Sequence, residues 1–191
     1  HEIPAWYFDS LPQEGSGEIF RTNDKLKDKV DETGRFRLFG GETTVFELPD
    51  DVRGRMAEIR DRLYDAAGDM LASQKLGTDS FHMTLHSLWD MGESIAYEAA
   101  PYTGDDVRHI IDDIRRDFPN RIMMRAICPL NMVNTSVVMG LVAASESDAL
   151  VLAELSRRVS ALYPRSYGLM PHITLAYYRP GEYREEVWKA V

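Results

Sequence analysis

The sequence predicts an α+β fold, and three observations carry the prediction. The hydrophobic pattern changes period along the chain and gives the order strand, helix, strand, helix, two strands, helix, strand. Each helical segment is amphipathic, so each has one face to lay against a sheet. The 191 residues are 44% hydrophobic, enough for the sizeable core that this arrangement needs.

Residues 1–34 mix Trp6, Tyr7 and Phe8 with Pro12, Gly15, Ser16 and Gly17, followed by a charged stretch from Asp24 to Asp31. They read as an irregular N-terminal extension to a single domain over residues 35–191. The β-branched and aromatic run from Thr43 to Glu47 reads as a strand stopped at Leu48-Pro49. Asp50 and Asp51 then offer an N-cap, and Val52, Met56, Ile59, Leu63, Ala66 and Met70 recur at spacings of three and four. Phe81 to Trp89 is the next strand. Residues 105–118 place Val107, Ile110, Ile111, Ile114 and Phe118 on one helical face, with Thr103 or Gly104 near the cap and Pro119 as the stop. Strands follow at Arg121 to Cys128 and Ser136 to Ala144, joined by residues 129–135. A third helix after Ser145 carries Leu152, Leu155, Val159 and Leu162 and ends at Pro164, and a last strand runs from Met170 to Tyr178.

Composition narrows the function. The net charge of −9 opposes binding of long polyanions through phosphate neutralisation, so a nucleotide partner should be small or a short RNA. Cys128 is the only cysteine, which excludes an intramolecular disulfide and a cysteine-based zinc cluster. The start of the chain has no basic and apolar signal-peptide pattern, and no uncharged apolar run is long enough to span a bilayer. A soluble, cytoplasmic protein without membrane contact is expected.

One pattern occurs twice. Phe81-His82-Met83-Thr84-Leu85 and Pro171-His172-Ile173-Thr174-Leu175 share the order histidine, apolar, threonine, apolar, once in each half of the chain. Strand side chains alternate between faces, so His and Thr at i and i+2 are displayed together while Met83, Leu85, Ile173 and Leu175 anchor the opposite side. A single such pair is more often structural than catalytic, and the repetition is what argues for chemistry. Breaking a phosphodiester needs one group to take a proton from the attacking oxygen and another to give one to the leaving oxygen. Imidazole does either near neutral pH. Hydroxyls of Thr84 and Thr174 would bond the non-bridging oxygens. No metal and no cofactor are then required.

These two motifs, His82-Met-Thr-Leu and His172-Ile-Thr-Leu, together with the order of strands and helices over roughly Phe36 to Arg179, resemble the 2H phosphoesterase superfamily, which includes 2′-5′ RNA ligase-like proteins and 2′,3′-cyclic phosphodiesterases. The segment Phe39-Gly40-Gly41-Glu42-Thr43-Thr44-Val45-Phe46 looks like the family's opening strand. The resemblance implies a bilobed, pseudo-two-fold fold with two antiparallel sheets around a central cleft and helices outside. It further implies catalytic His82 and His172, phosphate-binding Thr84 and Thr174, and action on a 2′,3′-cyclic phosphate or 2′-5′ phosphodiester. Which histidine is base and which is acid stays open here. So do reversible RNA 2′-5′ ligation, a non-catalytic nucleotide- or RNA-binding module, and a metallohydrolase using His82, His86 and acidic residues.

Two neighbours are weaker substrate-binding candidates. On an unbroken strand His86 shares the displayed face with His82 and Thr84. By the same parity Tyr178 faces with His172 and Tyr177 faces the core, unless a bulge near Ala176 exchanges them. Arg35, Arg37 and Arg179 are possible phosphate forks but read first as surface charges, as does His109 among the carboxylates of its helix.

Overall fold

The structure is a computed structural model that describes residue 17 and residues 19–90, 104–118, 121–164 and 167–184. Its elements are β1 (Phe20–Arg21), β2 (Gly41–Glu47), α1 (Asp50–Ala67), β3 (His82–Asp90), α2 (Gly104–Asp117), β4 (Met124–Met132), β5 (Ser136–Ala143), α3 (Glu146–Leu162), β6 (His172–Tyr177) and β7 (Glu182–Tyr183). The expected α+β class holds, with three helices and two antiparallel sheets among the described residues. The expected cap at Thr103 and stop at Pro119 lie outside the described residues.

The larger sheet has the order β2-β3-β6-β5-β4, and the smaller pairs β1 with β7. Within the larger sheet, β2 with β3 and β6 with β5 and β4 are extensively paired arms. The arms meet through one pair of Cα partners, Met83 and Ile173. The two motifs thus sit in arms of one sheet, and the smaller sheet lies apart from them. Because β3 and β6 are antiparallel and joined at equivalent positions of the repeated pattern, a local two-fold axis passes between them.

Alternation along the strands decides where the core lies. Met83, Leu85, Met139, Leu141, Ile173 and Leu175 point to one face, and Met56 of α1, Val107 and Ile114 of α2, and Val151, Leu152, Leu155 and Val159 of α3 close over them. The helix ends follow their charges: Asp50 and Asp51 open α1, Asp105 and Asp106 open α2, and Arg115 and Arg116 close α2, each with the sign that offsets the local helix dipole. Ser145 caps α3 by accepting from the Asp148 backbone N–H at 3.1 Å. Its hydroxyl donates to the same residue's carboxylate at 2.5 Å. No helix among the described residues is long and apolar enough to cross a membrane.

The second core lies at the end of the sheet. Phe20, Leu26 and Val30 pack with Met70, Leu71, Val137, Ala176, Tyr178 and Tyr183. Residues 20–36 therefore carry more structure than the expected irregular extension. Phe20 pairs with Tyr183, a 3-10 turn spans Asp24–Asp28, and Val30 bridges to Phe36. Their polar composition hid three well-spaced apolar anchors. The turn between Val30 and Phe36 is tied by Asp31 Oδ1, which accepts from the Thr33 and Arg35 backbone N–H groups. It passes through Gly34 at φ +85°, where a Cβ would also meet the Ser73 nitrogen at 2.8 Å, so only glycine fits.

β4 differs from expectation. It runs from Met124 through Pro129 to Met132, leaving only 133–135 as the turn to β5. Pro129 is tolerated because β4 is an edge strand, with a register shift between Ala126 and Pro129.

Candidate active site

His82 and His172 each open a strand, and each is held in the same way. His82 Nδ1 lies 2.7 Å from the Ser80 carbonyl oxygen, and His172 Nδ1 lies 2.7 Å from that of Met170. A carbonyl only accepts, so Nδ1 carries the proton in both rings. The neutral imidazole then presents Nε2 as an acceptor, and the imidazolium presents it as a donor. Both rings reach this state through the carbonyl two residues upstream, so the local geometry repeats along with the sequence.

The register brings the motifs together. With Met83 opposite Ile173, His82 stands level with Thr174 and His172 level with Thr84, all on the face away from the helices. His82 is exposed, and Thr84, His172 and Thr174 are half-buried. Burial lowers the His172 pKa from its ordinary value, against the upward pull of the Met170 carbonyl, and the charge of His82 lowers it further. That last effect is the electrostatic mark of two imidazoles close enough to repel when both are charged.

Two neighbours of this group had no signal in the sequence. Glu47 is the Cα partner of His82 on β2, and Gly140 is the partner of His172 on β5. Only pairing between distant strands could reveal either. Gly140 leaves space that the Leu130 side chain enters, since a Cβ there would come within 2.6 Å of Leu130 Cδ1.

His86 is not on the displayed face. Thr84 pairs with Val45 and His86 with Thr44, so Leu85 is an extra residue on β3 and the alternation reverses after it. His86 is 1% exposed, its Nδ1 lies 2.6 Å from the Ser87 carbonyl oxygen, and Thr44 donates to its backbone carbonyl at 3.1 Å. The assignment to substrate fails because the strand is bulged.

Tyr178 fails for the same reason. Thr174 pairs with Val138, Ala176 with Val137 and Tyr177 with Ser136, so the bulge at Leu175 exchanges the two tyrosines. Tyr178 is fully buried in the second core against Phe20, with ring centroids 5.0 Å apart, and burial pushes its hydroxyl pKa up. Tyr177, half-buried, takes the face of Thr174.

Arg179 donates to the Asp69 carbonyl at 2.6 Å and so pins the turn after α1. Arg35 and Arg37 are exposed on the segment before β2, and His109 is exposed on α2. Among the described residues, no group of three or more His, Cys, Asp or Glu side chains is placed to hold a metal ion.

Comparison with known proteins adds the fold and nothing finer. No family model matches the chain, and no curated protein matches it. A conserved protein of unknown function from Agrobacterium tumefaciens is similar in structure, with 19% identity, a TM-score of 0.58, and coverage of 84% of this chain and 72% of that one. E. coli LigT complexed with 3′-AMP aligns at 14% identity and a TM-score of 0.46 over 77% of this chain and 84% of that one. A structure described as a phosphoesterase aligns at 15% identity and 0.47 over 73% and 80%. Likeness at these two scores carries no weight for chemistry.

Proposed function

We propose that the protein is a phosphodiesterase of the 2H type that opens a 2′,3′-cyclic phosphate or cleaves a 2′-5′ phosphodiester of a small nucleotide, with residues 35–191 working as one bilobed unit. The supporting observation is the four-residue arrangement across β3 and β6. Two imidazoles share one open sheet face, each with Nδ1 committed to a carbonyl, and a threonine hydroxyl stands level with each.

His172 suits the base. Burial keeps its ring neutral to lower pH than an ordinary histidine, so Nε2 is ready to accept a proton. Water attacks phosphorus as His172 Nε2 takes its proton. The bond from phosphorus to the leaving ribose oxygen breaks, and the His82 imidazolium donates its Nε2 proton to that oxygen. Water has then been added across one P–O bond, His172 is left charged and His82 neutral, and exchange with solvent resets both. Thr84 and Thr174 donate to the non-bridging oxygens, where negative charge builds.

The test is a turnover screen of 2′,3′-cyclic mononucleotides and 2′-5′ dinucleotides in excess chelator, with His82→Ala and His172→Ala as controls. Hydrolysis that survives chelation and vanishes in both variants is the expected result. Turnover abolished by chelator, or retained by both variants, overturns the proposal.

A further inference from the structure

We propose that Lys29, seated between Phe39 and Tyr177, forms an anion subsite for a second phosphate of the substrate; the proposal rests on the phosphodiesterase reading above. The substrate class it implies is a small nucleoside or sugar carrying a phosphomonoester in addition to the ester that is cleaved.

The Lys29 ammonium lies 4.6 Å from the ring centroid of Phe39 and 5.6 Å from that of Tyr177, within cation–π range of both. Phe36 packs edge-on against Tyr177, with centroids 6.1 Å apart and planes at 80°, which fixes the ring beneath the charge. The ion pairs among the described residues all involve other cations. Asp31, two residues along, spends its Oδ1 on the Thr33 hydroxyl and on the Thr33 and Arg35 backbone N–H groups. Ring faces attract a positive charge but have no lone pair to receive its N–H donors. Among the described residues the ammonium of half-buried Lys29 is held by rings, which leaves its N–H donors for an anion.

The position relative to the histidines sets the ligand. The bulge at Leu175 places Tyr177 on the face of Thr174, with their β5 partners Ser136 and Val138 two residues apart and Gly140, opposite His172, two further. At about 3.3 Å per strand residue, the Tyr177 level lies about 7 Å from that of Thr174 and about 13 Å from that of His172. One nucleoside bridges such a gap. The backbone around Lys29 is itself pinned, because the Arg37 N–H donates to the Lys29 carbonyl at 2.8 Å. In a chain of net charge −9, such a local cation decides where a small dianion settles.

Calorimetric titration with adenosine 3′-monophosphate and adenosine 3′,5′-bisphosphate tests this without turnover. The wild type is expected to bind the bisphosphate tighter by roughly tenfold, with the ratio shrinking as salt is raised. Lys29→Met brings the ratio toward one and Lys29→Arg retains it. Binding of both ligands with equal affinity by the wild type overturns the subsite and leaves the phosphodiesterase reading standing; that comparison needs no variant. A ratio that persists in Lys29→Met also overturns it. Failure of the wild type to bind either ligand overturns the subsite together with the nucleotide reading.

Discussion

Met83 and Ile173 are Cα partners at the junction of the two arms, and each is the residue between a histidine and a threonine. Both side chains are buried at 2% exposure, so the contact that joins the arms also fixes the levels of His82, Thr84, His172 and Thr174 on the opposite face. Packing on one side of the sheet sets the spacing of polar groups on the other.

Removing either imbalanced half of this group should stop chemistry without unfolding the protein. His82 is exposed and His172 half-buried, and neither belongs to a core cluster. His82→Ala and His172→Ala are each expected to lower kcat by at least about a hundredfold, the scale of a lost acid or base, with circular dichroism unchanged. Thr84→Val and Thr174→Val should cost roughly tenfold each, and the serine variants should recover most of it. Threonine-to-valine variants that match the wild type in kcat would remove the hydroxyls from the mechanism.

The His172 pKa gives a pH dependence with a definite sign. It lies below 6.5 in the folded protein, first through burial and then through the charge of His82. Between the folded value and 6.5 the unfolded chain binds a proton that the folded chain does not, so stability is intact above this window and falls as pH drops through it. With His172 as base, the acid limb of kcat/KM falls below pH 6.5. His82→Gln removes a repelling charge, so the His172 ring should titrate at higher pH, as read from its imidazole proton resonances. A midpoint that stays fixed or falls would mean that the two rings do not sense each other.

The repeated His-x-Thr pattern was legible because a strand displays i and i+2 on one face whatever its partner. His86 and Tyr178 were not, because their facing depends on bulges at Leu85 and Leu175 that exist only once β2 and β5 supply a register. Sequence parity alone assigns both to the wrong side. The amphipathic helices were plain in Met56, Val107, Ile114 and Leu155, since each buries one stripe. Residues 20–36 were hidden because Phe20, Leu26 and Val30 follow neither period and find their partners across the chain.

Tyr178 offers a test of the bulge at Leu175. Its hydroxyl is buried with no hydrogen-bond partner among the described residues, in a core lined by Phe20, Leu71 and Val137. An unpaired buried hydroxyl costs about 1–3 kcal/mol, so Tyr178→Phe should hold or raise the thermal midpoint and leave kcat/KM as it was. Tyr177→Phe is the informative counterpart, because that hydroxyl is on the face of Thr174. A Tyr178→Phe variant that loses nucleotide binding while keeping its midpoint would return Tyr178 to the open face.

Arg60 braces the segment that leads into His82. Its guanidinium is buried between α1 and the segment ahead of β3, where Nη1 donates to the Leu76 carbonyl and Nε and Nη2 both reach Asp61 Oδ1 at 3.1 Å. The same group lies 5.7 Å over the ring of Phe81, and the residues that flank Phe81 are Ser80, whose carbonyl fixes the imidazole, and His82 itself. Arg60→Leu should cost about 1–3 kcal/mol of stability through the unmet Leu76 carbonyl. It should also lower kcat several-fold at temperatures where the variant is folded, with KM little changed, because the loosened Ser80 carbonyl no longer holds one orientation of the His82 ring. Arg60→Lys can bond the carbonyl but cannot fork to Asp61, so it should fall between the two. Measuring kcat and KM separately well below the melting midpoint, with the His82 ring resonance as a second readout, separates positioning from bulk stability. A variant that melts earlier yet keeps kcat and the His82 resonance would confine Arg60 to the fold.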